Sequence, residues 1–583
     1  MRSQNASKRQ RSPRAQVSGS KPASKPAPRP SEPSDLLSAN LLALEDVAPE
    51  LAERLRRPVD SSHIIIAADG KVYYKQGLTE LQVSMPRVEL SQPDDKPATD
   101  PVFLFGLGAG EILEHALKAF PGRPIFAWDR DPSMLRLALS RVALADPIRA
   151  GQVQLLLGSD LLDRLPLPAN HLVIRHPLLG NAYREELLLL GRGTRSRWAV
   201  VCEGGLFVTE LTMDLLKRGF SVYPMHLAHL AREERVLLLQ RVKPELVAAI
   251  NYTDGLVELC AEQGCKLMFW EIDPAVHAFE PRVRSGADHA FAFTFRERYV
   301  DELRSTGFSQ VEHLPLAADP HLRKPVELSP EQAAYYGAPV SFVANSMVEQ
   351  AQFWEELFLK LYRVRYRRTD DAEGRKALAS ALAQQRADFS RYLLPDILAE
   401  SCVGWSQVDI DLLVRCASEI SAAERRVVYA SRLGRFGLQV WGDKGWRVTS
   451  KAQVTYRGPA VNFTDLNPIY CASRINLDIG RLHQLDIVTM RNFDVMACGG
   501  FVLAERSVDL EKLFQIDKEV VCYSTLEELE QKVAYYLTHP QETRAIAEAG
   551  RRAVLERHTI SQRVGHMLSR MGVETDTAVT AAA

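Results

Sequence analysis

The stretch RNFDVMACGGFVLAE, Arg491–Glu505, reads as an amphipathic helix that runs through small residues into a glycine pair and then the apolar strand FVLA. A helix broken by glycine and followed by a buried strand is one step of a parallel α/β sheet. Such sheets bind ligands at the carboxyl ends of their strands. INLDI (475–479) and EVVCYS (519–524) supply flanking strands, and two helices separated by Pro540 follow them. Upstream, RVVYAS, LQVWGD and VTYRG extend the strand rhythm back to about residue 426.

Further towards the N-terminus the same alternation recurs twice. WAVVCEG, FSVYPMH, LVAAINY, KLMFWEID, HAFAFT and VEHLPLA are strand candidates of a unit that starts near residue 198. HIIIAA and KVYY, joined by Asp69-Gly70, read as a hairpin. VFLFGLGAGEILEHALKAF then gives a strand, a glycine-rich turn and a helix. From about 345 to 425, Leu, Ala, Arg and Glu at helical spacing replace the strand signals. Residues 1–35 combine Ser, Pro, Lys and Arg with almost no large apolar side chains, a composition that predicts disorder. Leu36 to Arg57 has helical apolar spacing.

The expected division is a tail over 1–35, a Rossmann-like accessory domain over 36–197, an α/β lobe over 198–335, a helical segment over 336–428, a second lobe over 429–570 and a tail over 571–583. At 583 residues the chain is too long for one hydrophobic core. A formal charge of −1 gives no support for nucleic-acid binding. The eight cysteines lack metal-site spacing, so no metal centre is expected and a reducing cytoplasm is implied. No apolar run is long enough to span a membrane.

Several segments in order resemble the spore-maturation glycosyltransferase-like family, which has the two-lobed GT-B fold: KPELVAAINY, FWEIDP, VEHLPLAADPHL, QVWGDKGW, VTYRGP, INLDIGR, the stretch at 491–505 and HTISQR (558–563). SFVANS (341–346) departs from it, with Ala344 and Asn345 where the family has glycine. The resemblance implies an α/β multidomain chain of two Rossmann-like lobes that moves a sugar from a nucleotide-diphosphate donor, without a required cofactor. The acceptor would be a protein or a surface polysaccharide.

Metal-free enzymes of this fold stabilise the departing diphosphate with cationic side chains and helix N-termini. Arg491, at the start of its helix, is the first phosphate candidate. Arg481 offers a second charge, and Gly499 and Gly500 would let backbone approach the ligand. The resemblance puts Asp494 at a ribose-binding position normally held by Glu, and Asp486, with seven residues between them, at the earlier, sugar-contacting acid of the motif. It also puts Tyr456 and Arg457 near the base. Trp441 and Gly442 end a strand facing the cleft, and Glu271 and Asp273 could line the acceptor side as a base. Plainer roles exist for each. Arg491 and Asp494 could pair with each other, Trp441 and Trp270 suit a packed core, His558 suits a helix cap, and Arg563 suits the surface.

Gly106, Gly108 and Gly110 follow a strand and open a helix, and Asp129 ends the next strand, a pattern suited to a nucleotide or cofactor. This part resembles both S-adenosylmethionine methyltransferases and the N-terminal domain of the motility-accessory-factor family, which is linked to flagellin glycosylation. The rival functions are therefore S-adenosylmethionine-dependent methyl transfer and a scaffold without turnover.

Overall fold

The computed structural model describes residues 33–76, 79–85, 90, 99–273 and 285–574. The tail expected over 1–35 falls outside them up to residue 32, and residues 33–35 already belong to the helix Pro33–Val47. The helical spacing of 36–57 forms two helices, because Pro49 starts a second one at Pro49–Arg56. At the other end, Met571 and Val573 are buried, so the described part of the expected 571–583 tail belongs to the folded body.

Strands β1 (Ile64–Ile66), β2 (Val72–Gln76) and β3 (Thr79–Gln82) form a small antiparallel sheet, in which Ile65 pairs with Tyr73. β4 (Val102–Phe105), β5 (Ile125–Asp129), β6 (Val153–Leu157) and β7 (Leu172–Arg175) form a parallel sheet in the order β6-β5-β4-β7. β8 (Arg197–Cys202), β9 (Phe220–Met225), β10 (Leu246–Ile250), β11 (Lys266–Glu271), β12 (Ala290–Thr294) and β13 (Gln310–His313) form the first lobe, ordered β13-β12-β11-β10-β8-β9. β14 (Val340–Val343), β15 (Leu438–Trp441), β16 (Thr455–Tyr456), β17 (Ile475–Leu477), β18 (Val502–Glu505) and β19 (Val521–Tyr523) form the second, ordered β16-β15-β14-β17-β18-β19. All ladders in the two lobes are parallel. Their central strands are continuous apolar runs because helices cover both faces.

Two expectations change. The helical segment placed at 336–428 contains β14, the central strand of the second sheet. The helices are therefore an insertion between the first two strands of that lobe: Val348–Tyr366, Ala372–Ala387, Leu394–Ser401 and Gln407–Leu433. RVVYAS is helix, not strand: it is the last part of Gln407–Leu433, and its β-branched pair Val427-Val428 is carried by a helix already six turns long.

One apolar core runs through both lobes, from Trp270 and Phe293 to Phe493 and Val554, and takes in the C-terminal helix Ile560–Arg570. That helix returns to the first lobe. Arg563 is buried there and donates to the carbonyls of Pro315 (2.7 Å) and Leu316 (3.2 Å), so it is a staple between lobes rather than a surface charge. His558 Nδ1 accepts from Arg563 Nη2 (3.0 Å), and its ring packs on Phe514. Among the described residues, no helix is long and apolar enough to cross a membrane.

Candidate active site

In the second sheet the strand order reverses between β14 and β17, and in open α/β sheets ligands bind outside the carboxyl ends of the strands at such a switch point. The helix Met490–Ala497 starts there. Its N-cap residue, Thr489, makes no side-chain cap, because its hydroxyl donates to Asp478 instead (3.0 Å). The Asn492 amide bonds the Thr489 carbonyl (3.1 Å), and those of Met490 and Arg491 are left for another acceptor.

Arg491 lies at this point, as expected. Its Nε donates to the Val343 carbonyl (2.9 Å), it pairs with Asp478, and its guanidinium lies 5.1 Å from the centre of the Phe342 ring. Asn492 Nδ2 completes the carboxylate's shell (2.7 Å). The side chain is 16% exposed, enough to touch a ligand while its orientation stays fixed.

Sequence reasoning missed the neighbour that matters most. Arg425 and Arg426 are adjacent in the inserted long helix, yet their surroundings differ. Arg425 is neutralised by Glu505 (3.0 Å). Among the described residues no carboxylate pairs directly with Arg426: it donates to the carbonyls of Asn345 (2.6 Å), behind β14, and Ile479 (3.4 Å), behind β17, and its Nε has no partner there. Burial, and then the charges of Arg491 and Arg481, push its pKa down to about 9. Asp478, already paired with Arg491, offsets this only in part, so the switch point carries more buried positive than negative charge. The sequence signal was an arginine pair inside RRVVYAS, hidden by its strand-like reading. Arg481 leans away to Glu419 on the insertion (3.2 Å) and adds only a distant charge.

The other donor-side candidates are placed differently. Gly499 and Gly500 close the carboxyl end of the helix, bonded back to Met496 and Val495 (both 2.9 Å). They sit about 12 Å of helix away from Arg491, at the opposite edge of the sheet. A Cβ on Gly500 would lie 2.6 Å from the Tyr470 carbonyl, so the requirement for glycine there comes from packing. Asp494 neither pairs with Arg491 nor faces open space. It is buried against Arg323 (2.9 Å), from the segment joining the lobes, and burial raises its pKa to about 6 despite that partner. Asp486 reaches across to the first lobe, where Arg296 grips both of its oxygens (Nε to Oδ2 2.6 Å), so it serves as a clasp and is poorly suited as a catalytic acid.

Trp441 is core, stacked on Tyr336 at 5.8 Å. Gly442 lies where a Cβ would meet the Ala344 carbonyl at 2.1 Å, Tyr456 donates to the Gly442 carbonyl (3.2 Å), and Arg457 sits 4.6 Å over Tyr335. This group braces β15 and β16 and offers no open base platform. Trp270 is also core, its indole bonded to the Leu314 carbonyl (3.0 Å).

On the first lobe, Glu271 ends β11 and is buried. One oxygen accepts from the Tyr252 amide (2.5 Å) and the other has no partner. Burial pushes its carboxyl up to about 7, and Asp273 adds to the rise. Asp273 is exposed and held by Asn251 (2.8 Å). Glu271 pairs in register with Thr294, two residues before Arg296, so it lies one strand from the clasp to the second lobe. The expected second ligand site is closed. A Cβ on Gly108 would meet His176 at 2.5 Å and the Val83 carbonyl at 2.7 Å. Asp129 is fully buried, accepting from the Leu107 amide and the Tyr183 hydroxyl (both 2.8 Å), so its carboxylate cannot reach a ribose. Gly106 and Gly110 likewise back onto Leu179 and Val142.

Two Rossmann-type lobes, a C-terminal helix returned to the first, and a cationic switch point in the second define the GT-B class of architecture. Residues 423–569, which include Arg426, Arg491 and the helix N-terminus, match a family described as "Glycosyl transferase-like". No curated protein matches the chain. Similar solved structures include sucrose-phosphate synthase from Thermosynechococcus elongatus (13% identity, TM-score 0.37, 64% of this chain and 98% of that one). Anabaena Alr3699/HepE in complex with UDP and glucose also matches (11%, 0.37, 64% and 99%). The MAf glycosyltransferase from Magnetospirillum magneticum AMB-1 matches at 13% and 0.22, over 72% and 94%. At these scores the strand order, and not the likeness, defines the fold.

Proposed function

We propose that the chain transfers a glycosyl unit from a nucleoside-diphosphate sugar to an acceptor hydroxyl. The observation that carries this reading is the buried guanidinium of Arg426, which has no direct carboxylate partner among the described residues, beside Arg491 at a helix N-terminus without a side-chain cap. A diphosphate supplies the missing charge, and it is also the group whose leaving must be stabilised in glycosyl transfer. The match of 423–569 to a glycosyl transferase-like family supports the same reading. Glu271, with a free oxygen and a pKa near neutrality, is suited to take the proton from an acceptor hydroxyl on the first lobe. The acceptor in this reading is a protein, of the flagellin type, and a surface polysaccharide is the alternative.

The test is calorimetric titration of the purified chain with UDP, GDP and S-adenosylmethionine, beside Arg426→Met and Arg491→Ala. Binding of at least one diphosphate, weakened about tenfold or more in each variant, is expected, with no heat from S-adenosylmethionine. Diphosphate affinities unchanged in both variants would remove the basis of the proposal. Labelled donor followed into protein and polysaccharide fractions then decides the acceptor.

A further inference from the structure

Where the accessory domain meets the first lobe, three residues remote in sequence converge: His63 just ahead of β1, Asp131 just behind β5 and His229 in the loop behind β9. His63 Nε2 lies 2.6 Å from Asp131 Oδ2, and His229 Nδ1 lies 3.9 Å from the same oxygen. The other Asp131 oxygen accepts from the Ser133 amide (2.8 Å), which caps the following helix and fixes the carboxylate's orientation. The two imidazoles are stacked, with centroids 3.7 Å apart and planes 14° from parallel, so the more exposed ring, His229, must turn for both to aim an in-plane nitrogen at one ion. His63 is 5% exposed and Asp131 2%.

This cluster is short of partners. The Nδ1 atoms of His63 and His229 and the hydroxyl of Tyr74, which meets both rings edge-on, are buried without a hydrogen bond. The next layer is fully engaged. His226 stacks on His229 and pairs with Glu203, while Arg130 binds Glu203 (2.8 Å) and Glu186. An unsatisfied polar atom at a buried joint is costly, and one cation held by His63 Nε2, Asp131 Oδ2 and His229 Nδ1 would satisfy the last of these, which has no hydrogen bond of its own. Two imidazoles and one monodentate carboxylate are a donor set for zinc-class ions, with metal–ligand bonds of about 2.0–2.2 Å and so ligand spacings of about 3.3 Å. The spacings of 2.6 and 3.9 Å bracket that value.

We propose that His63, Asp131 and His229 bind one divalent transition-metal ion of the zinc class, which pins the small antiparallel sheet and the accessory domain to the first lobe. The proposal stands apart from the glycosyl-transfer reading, since these residues lie in the accessory domain and first lobe and not at the second lobe's switch point. Linear motifs could not reveal it, because each ligand comes from a different unit.

The full-length chain, stripped with chelator and exchanged into metal-free buffer, is titrated with zinc sulfate and, as an optical probe, cobalt(II) chloride. One ion per chain is expected, with thermal stabilisation by zinc and a cobalt ligand-field band. His63→Gln and His229→Asn should each weaken binding at least tenfold and abolish the band, while far-UV circular dichroism reports that they fold. Since His229 is the more exposed of the two, its variant stands if His63→Gln does not fold. Absence of binding by the parent chain, or equal stoichiometry and affinity in His229→Asn, would overturn the proposal; the second result identifies an adventitious ion only.

Discussion

Arg426 and Glu271, a cation and an acid, share a predicament: each is buried with a polar atom that nothing among the described residues satisfies. Arg426→Met removes a charge held without a directly paired counterion. Apo stability should stay level or rise by up to about 2 kcal/mol, even as diphosphate affinity falls. Urea denaturation with and without UDP or GDP measures both quantities. For Glu271 the folded-state pKa of about 7 lies above the unfolded value. The folded protein therefore holds a proton that the unfolded chain has lost between about pH 4.5 and 7, and stability falls as pH rises through that window. Glu271→Gln abolishes the fall and should be more stable than the parent above pH 7 by about 3 kcal/mol. If Glu271 is the base, transfer rates of the parent rise with an inflection near pH 7 that the variant lacks. Arg491 was legible in the sequence because a helix start after a strand is a local pattern. Asp494 misled because its type and position suited a ribose while its partner, Arg323, came from another segment.

Helix Met490–Ala497 separates two jobs by its length, binding at one end and packing at the other. Gly500→Ala should destabilise the second lobe by about 2 kcal/mol or more through overpacking against Tyr470, yet leave the diphosphate affinity of the folded fraction unchanged. Thermal unfolding paired with calorimetry checks this. A loss of affinity without loss of stability would restore the glycine pair to the ligand. On the returning helix, Arg563→Met strips donors from two buried carbonyls, and a loss of about 2–4 kcal/mol is expected in urea unfolding. The strands of both lobes were legible as apolar runs bounded by turns. RVVYAS failed because six residues cannot distinguish a buried strand from one face of a long buried helix.

Between the lobes, the Arg296–Asp486 clasp joins the first lobe's β12 edge to the second lobe's 481–489 loop. Asp486→Ala leaves Arg296 buried without its counterion and should loosen the cleft. An increase in the radius of gyration in X-ray scattering and faster proteolysis would register it, whereas unchanged scattering and proteolysis would mean that the shared core alone sets the closure. At this scale the number and class of α/β units could be read from strand rhythm. How they meet could not, since the staple at Arg563, the clasp at Arg296 and the closed turn at Gly108 all depend on residues far apart along the chain.

The placement of β14 has a consequence for how the chain acquires its shape. This strand must wait for roughly ninety residues before its neighbour β15 is even synthesised, an expensive closure if the intervening chain were slack. The four inserted helices have an apolar core of their own, and Met347 packs against Ala422 and Ala423. Once that bundle condenses, the two ends of the gap are already side by side. The insertion then acts as an internal jig, and pulsed hydrogen exchange during refolding should show its amides protected before those of β14 and β15.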